Sequence, residues 1–228
     1  MQERDRELTA LIEPVAAKYD CNNIEACFKT FKEFCLSWRF NGNKTTLYIS
    51  DYLIDAPDHV IENCVDTLFK VIKKKDHEYD DNYMAWVTSD SFINSKRKIY
   101  LKRSKNLTRS DIGKTRLISD SVQRLLEQDL LVPSDIDNSI FTWTSRPSYR
   151  KVGYCSPMMR VVAISSALDR EEIPNYVVDY VVYHESLHLR QGYRPFRRSH
   201  DTQFRKMERL FPQYKEAEAY LKDLKDRS

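Results

Sequence analysis

Apolar positions recur along the chain with two different spacings, and the changes between them predict its elements. Residues 3–19 place apolar side chains at helical spacing, and Pro14 predicts a break or kink in that helix. Residues 35–49 alternate apolar and polar positions on both sides of a glycine-containing turn, which predicts a β-hairpin. Pro57 is then expected to open a helix that continues to Ile72.

The second half of the chain predicts short strands between helices. The expected elements are a helix over 119–131 ended by Pro133, a strand over 140–143, one or two strands over 152–165, a helix from Pro174, a helix over 201–211 and a tail helix to about 224. One local pattern occurs twice, because Ser50 before Pro57 and Ser165 before Pro174 each follow an apolar run. We interpret this pattern as a repeated order of strand, short loop and helix.

The helix predicted from Pro174 contains the pattern His184-Glu185-Ser186-Leu187-His188. Positions i and i+4 of an α-helix lie about 40° apart and one turn apart, so both imidazoles project from one face. Two ligands of a tetrahedral zinc ion require that geometry, and Glu185 beside them is placed as a general base. By propensity the apolar segment could also be a buried strand, but it is too long for one.

Two residues compete for the position of third ligand. His200 is preferred, because it follows His188 by 12 residues across a loop that contains Gly192 and Pro195. Glu208, on the next predicted helix, is the alternative. Three protein ligands and an open fourth position are typical of a catalytic zinc site, whereas four protein ligands close a structural one. The sequence therefore favours a catalytic site.

Composition excludes several other classes of protein. A 41% hydrophobic and 12% aromatic content supports a packed core, and no apolar run is long enough to span a membrane. The four glycines form neither GxGxxG nor a P-loop, which excludes the common phosphate-binding loops. Five cysteines without a CxxC pair, and a charged N-terminus without an apolar signal core, lead us to expect free thiols in a cytoplasmic protein.

Basic residues concentrate between Lys96 and Arg116, although the formal net charge of the chain is only +3. This segment holds nine lysines and arginines against Asp111 alone, and such a density predicts a contact with DNA phosphates. The alternative is a solvated arm. That alternative is favoured by the lack of interleaved aromatic residues, since Tyr100 is the only one in the segment.

From about residue 140 to 224 the chain resembles the YgjP-like and SprT-like zinc metallopeptidases of the zincin-like group. The resemblance rests on Arg150-x-x-Gly153-x-Cys155-Ser156, the HExxH helix, His200 and Phe211-Pro212-Gln213-Tyr214. The gap before the third histidine is closer to the SprT type. Position 186 is serine, where the family commonly has a bulkier apolar residue.

The resemblance implies a zinc-dependent metallopeptidase. His184, His188 and His200 match its zinc ligands, and Glu185 matches its catalytic base. The implied fold is α+β and zincin-like, with a small mixed or antiparallel sheet packed against the HExxH helix and with additional helices. Some SprT-like proteins act on proteins crosslinked to DNA, which would suit the basic segment.

Two regions are expected from these observations. Residues 1–135 would form an N-terminal helical and hairpin region with the basic segment, packed on a metallopeptidase core of residues 136–228. A peptide or protein substrate would bind in extended form, as a strand along the Val161–Ile164 edge. The alternative functions are a nucleic-acid-associated protein with a structural or vestigial metal site, and a zinc hydrolase of a non-peptide substrate.

Several further residues have both a functional and a structural interpretation. Tyr154, Tyr193 and Arg150 are candidates to stabilise an oxyanion, although such residues are more often packing or surface residues. Cys155 is either a fourth ligand, a reactive thiol or, by preference, a small buried residue. Asp179 could orient a ligand or lie at a solvated helix position. The three tryptophans are all expected in the core.

Overall fold

The computed structural model describes residues 3–226 of the chain. This part is an α+β protein of nine α-helices and two three-stranded mixed sheets, as the sequence predicted for the fold class. No described helix is both long and apolar enough to cross a membrane. The chain divides into two compact units, Met1–Lys96 and Arg97–Ser228.

The first unit is a small sheet with helices. In chain order its elements are α1 (Glu3–Ala17), β1 (Ile24–Lys29), β2 (Leu36–Asn41), β3 (Lys44–Ser50), a 3-10 turn (Asp51–Leu53), α2 (Asp58–Ile72) and α3 (Asp81–Val87), followed by α4 (Asp90–Arg103), in which the division falls. The strands have the order β1-β3-β2, with β1 parallel and β2 antiparallel to β3. The predicted hairpin is thus confirmed as β2 and β3.

The second unit carries the HExxH pattern. Its elements are α5 (Ile118–Glu127), α6 (Pro133–Ile136), β4 (Ile140–Trp143), β5 (Gly153–Ser156), β6 (Val161–Ile164), a 3-10 turn (Ser166–Leu168), α7 (Asn175–Gln191), α8 (Thr202–Glu208) and α9 (Tyr214–Asp226). The sheet order is β4-β6-β5, with β4 parallel and β5 antiparallel to β6. All four residues of β6 are buried, so this strand forms the centre of the core.

The helices differ from the prediction near two prolines and near one residue with a positive φ. Helix α1 is not broken at Pro14 but continues to Ala17. Helix α5 ends at Glu127, before the predicted end at 131, because Asp129 takes a positive φ of 56° and turns the chain. Pro133 begins α6, since a proline at the first helical position lacks only an N–H that would have no partner. Strand β1 and helices α3 and α4 were not predicted.

The predicted regions and the two units divide the chain at different places. The sequence placed 97–135 with the N-terminal region, whereas these residues belong to the compact unit of α7. Contacts that hold them there include the Arg124 guanidinium, which pairs with both oxygens of Asp179, and the Trp143 indole, which donates a hydrogen bond to the Asp111 carbonyl. Helix α5 is therefore part of the packing around α7.

The tryptophans differ in their burial. Trp143 is 2% exposed and lies in the core as expected, and Trp86 is half-buried. Trp38 is 48% exposed, so the expectation that it lies in the core is wrong. Its strand, β2, is an edge strand, and the side chains of β2 are covered less than those of β3. All five cysteines are free thiols, as predicted.

The two units repeat the same order of elements. Each has a helix, a parallel pair of strands, an antiparallel edge strand, a 3-10 turn and a second helix. In both parallel pairs each residue is paired with the residue 21 positions later, as Ile24 with Thr45 and Ile140 with Val161. The repeated local pattern in the sequence thus corresponds to a repeated three-stranded scaffold.

The same serine and proline positions define both copies. Ser50 and Ser165 each cap the 3-10 turn by accepting a hydrogen bond from the backbone N–H two residues later. Pro57 and Pro174 each stand at the N-cap of the following helix, with nearly the same backbone angles. A proline there fixes φ before the first turn and does not remove a helical hydrogen bond.

The Asp169 carboxylate, at the end of the 3-10 turn before α7, hydrogen-bonds to the loop that contains Lys114 and Thr115. It accepts hydrogen bonds from the backbone N–H groups of Lys114 and Thr115 and from the Thr115 hydroxyl. Gly113 allows this close approach, because a Cβ there would lie 2.6 Å from the carboxylate. Burial opposes the charge of Asp169, but the hydrogen bonds outweigh it and hold the pKa of Asp169 below its usual value.

We expect Asp169→Asn to lower the free energy of unfolding by about 1–3 kcal/mol at neutral pH, because the backbone N–H groups of Lys114 and Thr115 lose a charged hydrogen-bond acceptor. The depressed pKa means that this stability is complete above the unfolded-state pKa and is lost as pH falls through the folded-state value. The difference between wild type and variant in chemical denaturation should therefore shrink below about pH 3.9. Glu171→Gln, at an exposed carboxylate nearby, is the control and should change little at either pH.

Candidate metal centre

Helix α7 holds the first two histidines on one face, as its periodicity predicted. Pro174 precedes the helix, and Gly192, at φ +69°, ends it. A positive φ of this kind strains any residue with a Cβ, so glycine is the favoured residue at this stop. The ring centroids of His184 and His188 lie 5.3 Å apart, one turn from each other.

His200 completes a cluster of three imidazoles. It follows α7 in the loop before α8, and its Nε2 atom lies 3.2 Å from Nε2 of His184 and 3.1 Å from Nε2 of His188. Ligands of tetrahedral zinc at about 2.0–2.1 Å from the metal lie about 3.3–3.4 Å from one another. Both distances are close to that spacing, and the ligand nitrogens of all three histidines lie within 4.8 Å of one another, so the cluster could hold a metal.

The protonation of two of the rings also suits a metal. Burial and the neighbouring imidazoles lower the pKa of His188 to about 4, and burial with the charge of His184 lowers the pKa of His200. Both rings are therefore neutral near pH 7. A metal ligand must be a neutral imidazole with a free lone pair, and three nitrogens converging without a shared cation would repel one another.

Phe204 and Asp201 fix the geometry of the third histidine. The Phe204 ring is 1% exposed, stacks on His188 with a centroid distance of 4.5 Å, and lies 4.7 Å from the His200 ring. The Asp201 carboxylate caps α8 by accepting from the Phe204 N–H, and Arg194 pairs with its second oxygen. The cap therefore sets where α8 begins, and so where Phe204 and His200 lie.

Glu208 hydrogen-bonds to Nδ1 of His184, and it is not placed as the third ligand. Its Oε1 lies 2.6 Å from Nδ1 of His184 and accepts a hydrogen bond from the Tyr180 hydroxyl. A carboxylate at Nδ1 fixes the tautomer whose Nε2 lone pair is free for a metal, and raises the basicity of the ring. His200, rather than Glu208, supplies the third converging nitrogen.

Glu185 lies against the edge strand of the sheet. Its side chain is 7% exposed, and burial raises the pKa of Glu185 to about 7, although the charges of His184 and Lys151 act in the opposite direction. A Cβ on Gly153 of β5 would come within 2.7 Å of Glu185 Oε1, so glycine permits this close contact. Glu185 and His184 both line a cleft of about 330 Å³.

The other candidate residues from the sequence are divided between the cleft and positions away from it. Arg150 lines the cleft, whereas Asp179 neither orients a ligand nor lies at a solvated position, since its buried carboxylate pairs with the half-buried Arg124. Burial raises the pKa of the Cys155 thiol, which keeps it protonated, and Cys155 is not in the metal cluster. Sequence reasoning missed Lys151, whose ammonium lies 4.7 Å from the Tyr154 ring centroid beside the same cleft.

Part of the basic segment is engaged within the protein. Lys96 is 4% exposed and pairs with Asp55, and Arg97 binds both oxygens of Asn138. The Arg116 guanidinium also donates to carbonyls that precede α7. Four lysines of the segment are exposed: Lys98, Lys102, Lys105 and Lys114. The DNA contact stays a prediction, and it depends on fewer cations than the sequence suggests.

Comparisons of the chain with family models, with curated proteins and with solved structures found no match.

Removing the carboxylate behind His184 tests the cluster as a metal centre. We expect Glu208→Ala to weaken zinc binding about 10–100-fold, because the ring loses the partner that fixes its tautomer. Competition with a chromogenic chelator measures this affinity. Glu216→Ala, at an exposed carboxylate on the next helix, should leave it unchanged, and equal losses in both variants would contradict the role given to Glu208.

A methyl group at Gly153 tests the contact between β5 and Glu185. Gly153→Ala should lower the free energy of unfolding by about 1–3 kcal/mol, since the added Cβ overlaps Glu185 and lies 2.9 Å from Val181 Cγ1. Val181→Ala removes one of the two overlaps, so the double variant should lose less stability than the two single changes added together. Additive losses in urea denaturation would show that the two elements do not meet there.

Proposed function

We propose that this protein is a zinc-dependent metallopeptidase of the zincin-like group, with SprT-like or YgjP-like proteins as the relatives it resembles. The observation that carries the proposal is the convergence of three imidazole nitrogens, one of them on His184, which lines an open cleft together with the buried Glu185. A structural zinc site has a fourth protein ligand, and within residues 3–226 the cluster holds three. An open position is what a hydrolase needs.

Zinc is the metal that this ligand set favours. Three imidazole nitrogens that converge in this way suit Zn²⁺, whereas Mg²⁺ and Ca²⁺ bind through oxygen ligands. When bound, zinc supplies Lewis acidity, which lowers the pKa of a water molecule and polarises a carbonyl. His184, His188 and His200 would hold it, with Glu208 orienting the first ring.

Glu185 is the proposed general base. It stands beside His184 on α7 and reaches the cleft, where it accepts a proton from the attacking water and passes it to the leaving amine. Its burial favours this role, because a desolvated carboxylate is a stronger base than a hydrated one. Lys151 brings positive charge to the same cleft, where negative charge develops on the carbonyl oxygen.

An extended peptide would bind along β5. The expected edge at Val161–Ile164 is wrong, because β6 is paired on both sides, with β4 and with β5. Strand β5 is one of the two edges of the described sheet, and its first residue, Gly153, touches the proposed base. A peptide paired with β5 would bring its carbonyls past Glu185, and main-chain pairing would recognise it without regard to sequence.

Replacing the proposed base separates chemistry from metal binding. We expect Glu185→Gln to keep one zinc per chain and to reduce hydrolysis of unfolded casein about 10²–10⁴-fold, because the amide cannot accept the proton. Zinc content by mass spectrometry and peptide release by fluorescence measure the two properties.

The matched control is Glu172→Gln, at an exposed carboxylate before α7, which should retain both properties. Casein hydrolysis that persists in Glu185→Gln would exclude Glu185 as the base. A wild-type protein that binds zinc but cleaves an ester and no peptide would instead indicate a hydrolase of another substrate class.

A further inference from the structure

The first unit repeats the order of strands and helices of the second unit, but it lacks counterparts of the two histidines and the glutamate of α7. Counted from the N-cap prolines Pro57 and Pro174, the positions of His184, Glu185 and His188 correspond to 67, 68 and 71. Those positions of α2 are occupied by Thr67, Leu68 and Val71. None of the three is a metal ligand or a general base, so this copy of the scaffold has another use or none.

The edge strands of the two copies differ in their side chains. In the second unit Gly153 pairs with Ile164, which allows β5 to lie close to α7. At the corresponding place in the first unit Leu36 pairs with Ile49, and it is followed on the same face by Trp38 and Phe40. Leu36 takes the place of Gly153 and Trp38 that of Cys155, so the first unit has large side chains where the second has a glycine and a small residue.

Those aromatic side chains border an open groove between β2 and the C-terminal end of α2. Trp38 is 48% exposed and Phe40 is 69% exposed. The groove has a volume of about 330 Å³; its lining includes the apolar side chains of Tyr19, Trp38, Phe40, Phe69 and Ile72, together with polar residues such as Asn43 and Lys73. A space of this size accommodates one or two apolar side chains, and exposed aromatic residues are enriched at binding sites.

Basic residues lie at one end of the groove. Lys73 lines it, and the exposed Lys75 has its ammonium 5.3 Å from the centroid of the Tyr19 ring, which also lines it. The carboxylates nearby are Asp20 in the lining and the exposed Asp76 after Lys75. Because Lys73, Lys74 and Lys75 outnumber these two carboxylates, this end of the groove complements an occupant with negative charge.

Strand β2 also offers its backbone. It is the edge of the described sheet and pairs only with β3 among the residues of that sheet. A strand added at this edge would lie about 4.8 Å away, with alternate side chains on the face of Trp38 and Phe40. Those side chains would point into the groove, and the others would point away from it.

We propose that the groove between β2 and α2 binds an extended acidic peptide, which adds to β2 as a strand and inserts its alternate apolar side chains between Trp38, Phe40 and Phe69. This binding site lies wholly in the first unit. It goes beyond the proposed peptidase function and does not depend on the metal, on Glu185 or on cleavage.

A fluorescein-labelled peptide in which leucine alternates with glutamate is the probe. Fluorescence anisotropy with the full-length Glu185→Gln protein measures binding without cleavage. We expect Trp38→Ala and Phe40→Ala each to weaken binding at least about tenfold, as truncation of an aromatic anchor does. Ile112→Ala removes an equally exposed apolar side chain of the second unit and should bind normally. The Glu185→Gln protein and its three alanine variants should share one melting temperature, since the altered side chains are exposed.

Two peptide variants test the mode of binding. N-methylation of every second amide should abolish binding in one register and leave it intact in the other, because only one set of amides faces β2. Replacing glutamate by lysine in the peptide should weaken binding, and Lys73→Glu should reverse that preference. Equal effects of the two methylation registers would overturn strand addition.

Other results would overturn the docking site itself. Unchanged binding in both Trp38→Ala and Phe40→Ala would exclude the groove. Binding that disappears on chelation of zinc would place the peptide in the metal cleft instead. Binding of oligo(dT) but not of the peptide, with the same dependence on Trp38, would assign the groove to single-stranded nucleic acid. Failure of peptide hydrolysis in the wild type would not bear on any of these outcomes.

Discussion

The candidate site depends on the convergence of three imidazole nitrogens from two separate segments of the chain. Helix geometry brings two of the rings to one face, because they lie one turn apart on α7. The third must be brought to within 3.2 Å of both by a loop. Bringing three lone pairs together costs free energy without a cation, so the packing around them must compensate for that cost.

That packing comes from α8 and its cap. Phe204 lies against all three imidazoles, and the hydrogen bond of Glu208 to His184 comes from the same short helix. Asp201 sets where this helix begins. The groups that orient the ligands are thus grouped on one element, which is anchored to α7 by the Tyr183 hydroxyl bound to the Met207 carbonyl. One helix positions both His200 and the partner of His184.

The sequence predicts the parts of this site that depend on local geometry. The HExxH spacing and the loop to His200 lie within one short stretch of chain, so periodicity and turn residues suffice to locate the histidines. The partners of Glu208 and Asp179 depend on how distant helices pack, which a pattern of apolar positions does not encode. The exposure of Trp38 escapes prediction for the same reason, because an aromatic residue on an edge strand is buried only if a helix covers it.

The repeated scaffold explains how one order of elements can support two different surfaces. In both units the parallel pair has the same register, and a proline begins the helix that follows. The difference lies at the edge strand, where Gly153 lets a helix carboxylate touch β5, whereas Trp38 and Phe40 leave β2 beside a groove. Gly153 permits the close contact of β5 with Glu185, whereas the exposed Trp38 and Phe40 border an open groove. The residues of the edge strand therefore distinguish the copy of the scaffold with a buried carboxylate from the copy with a groove.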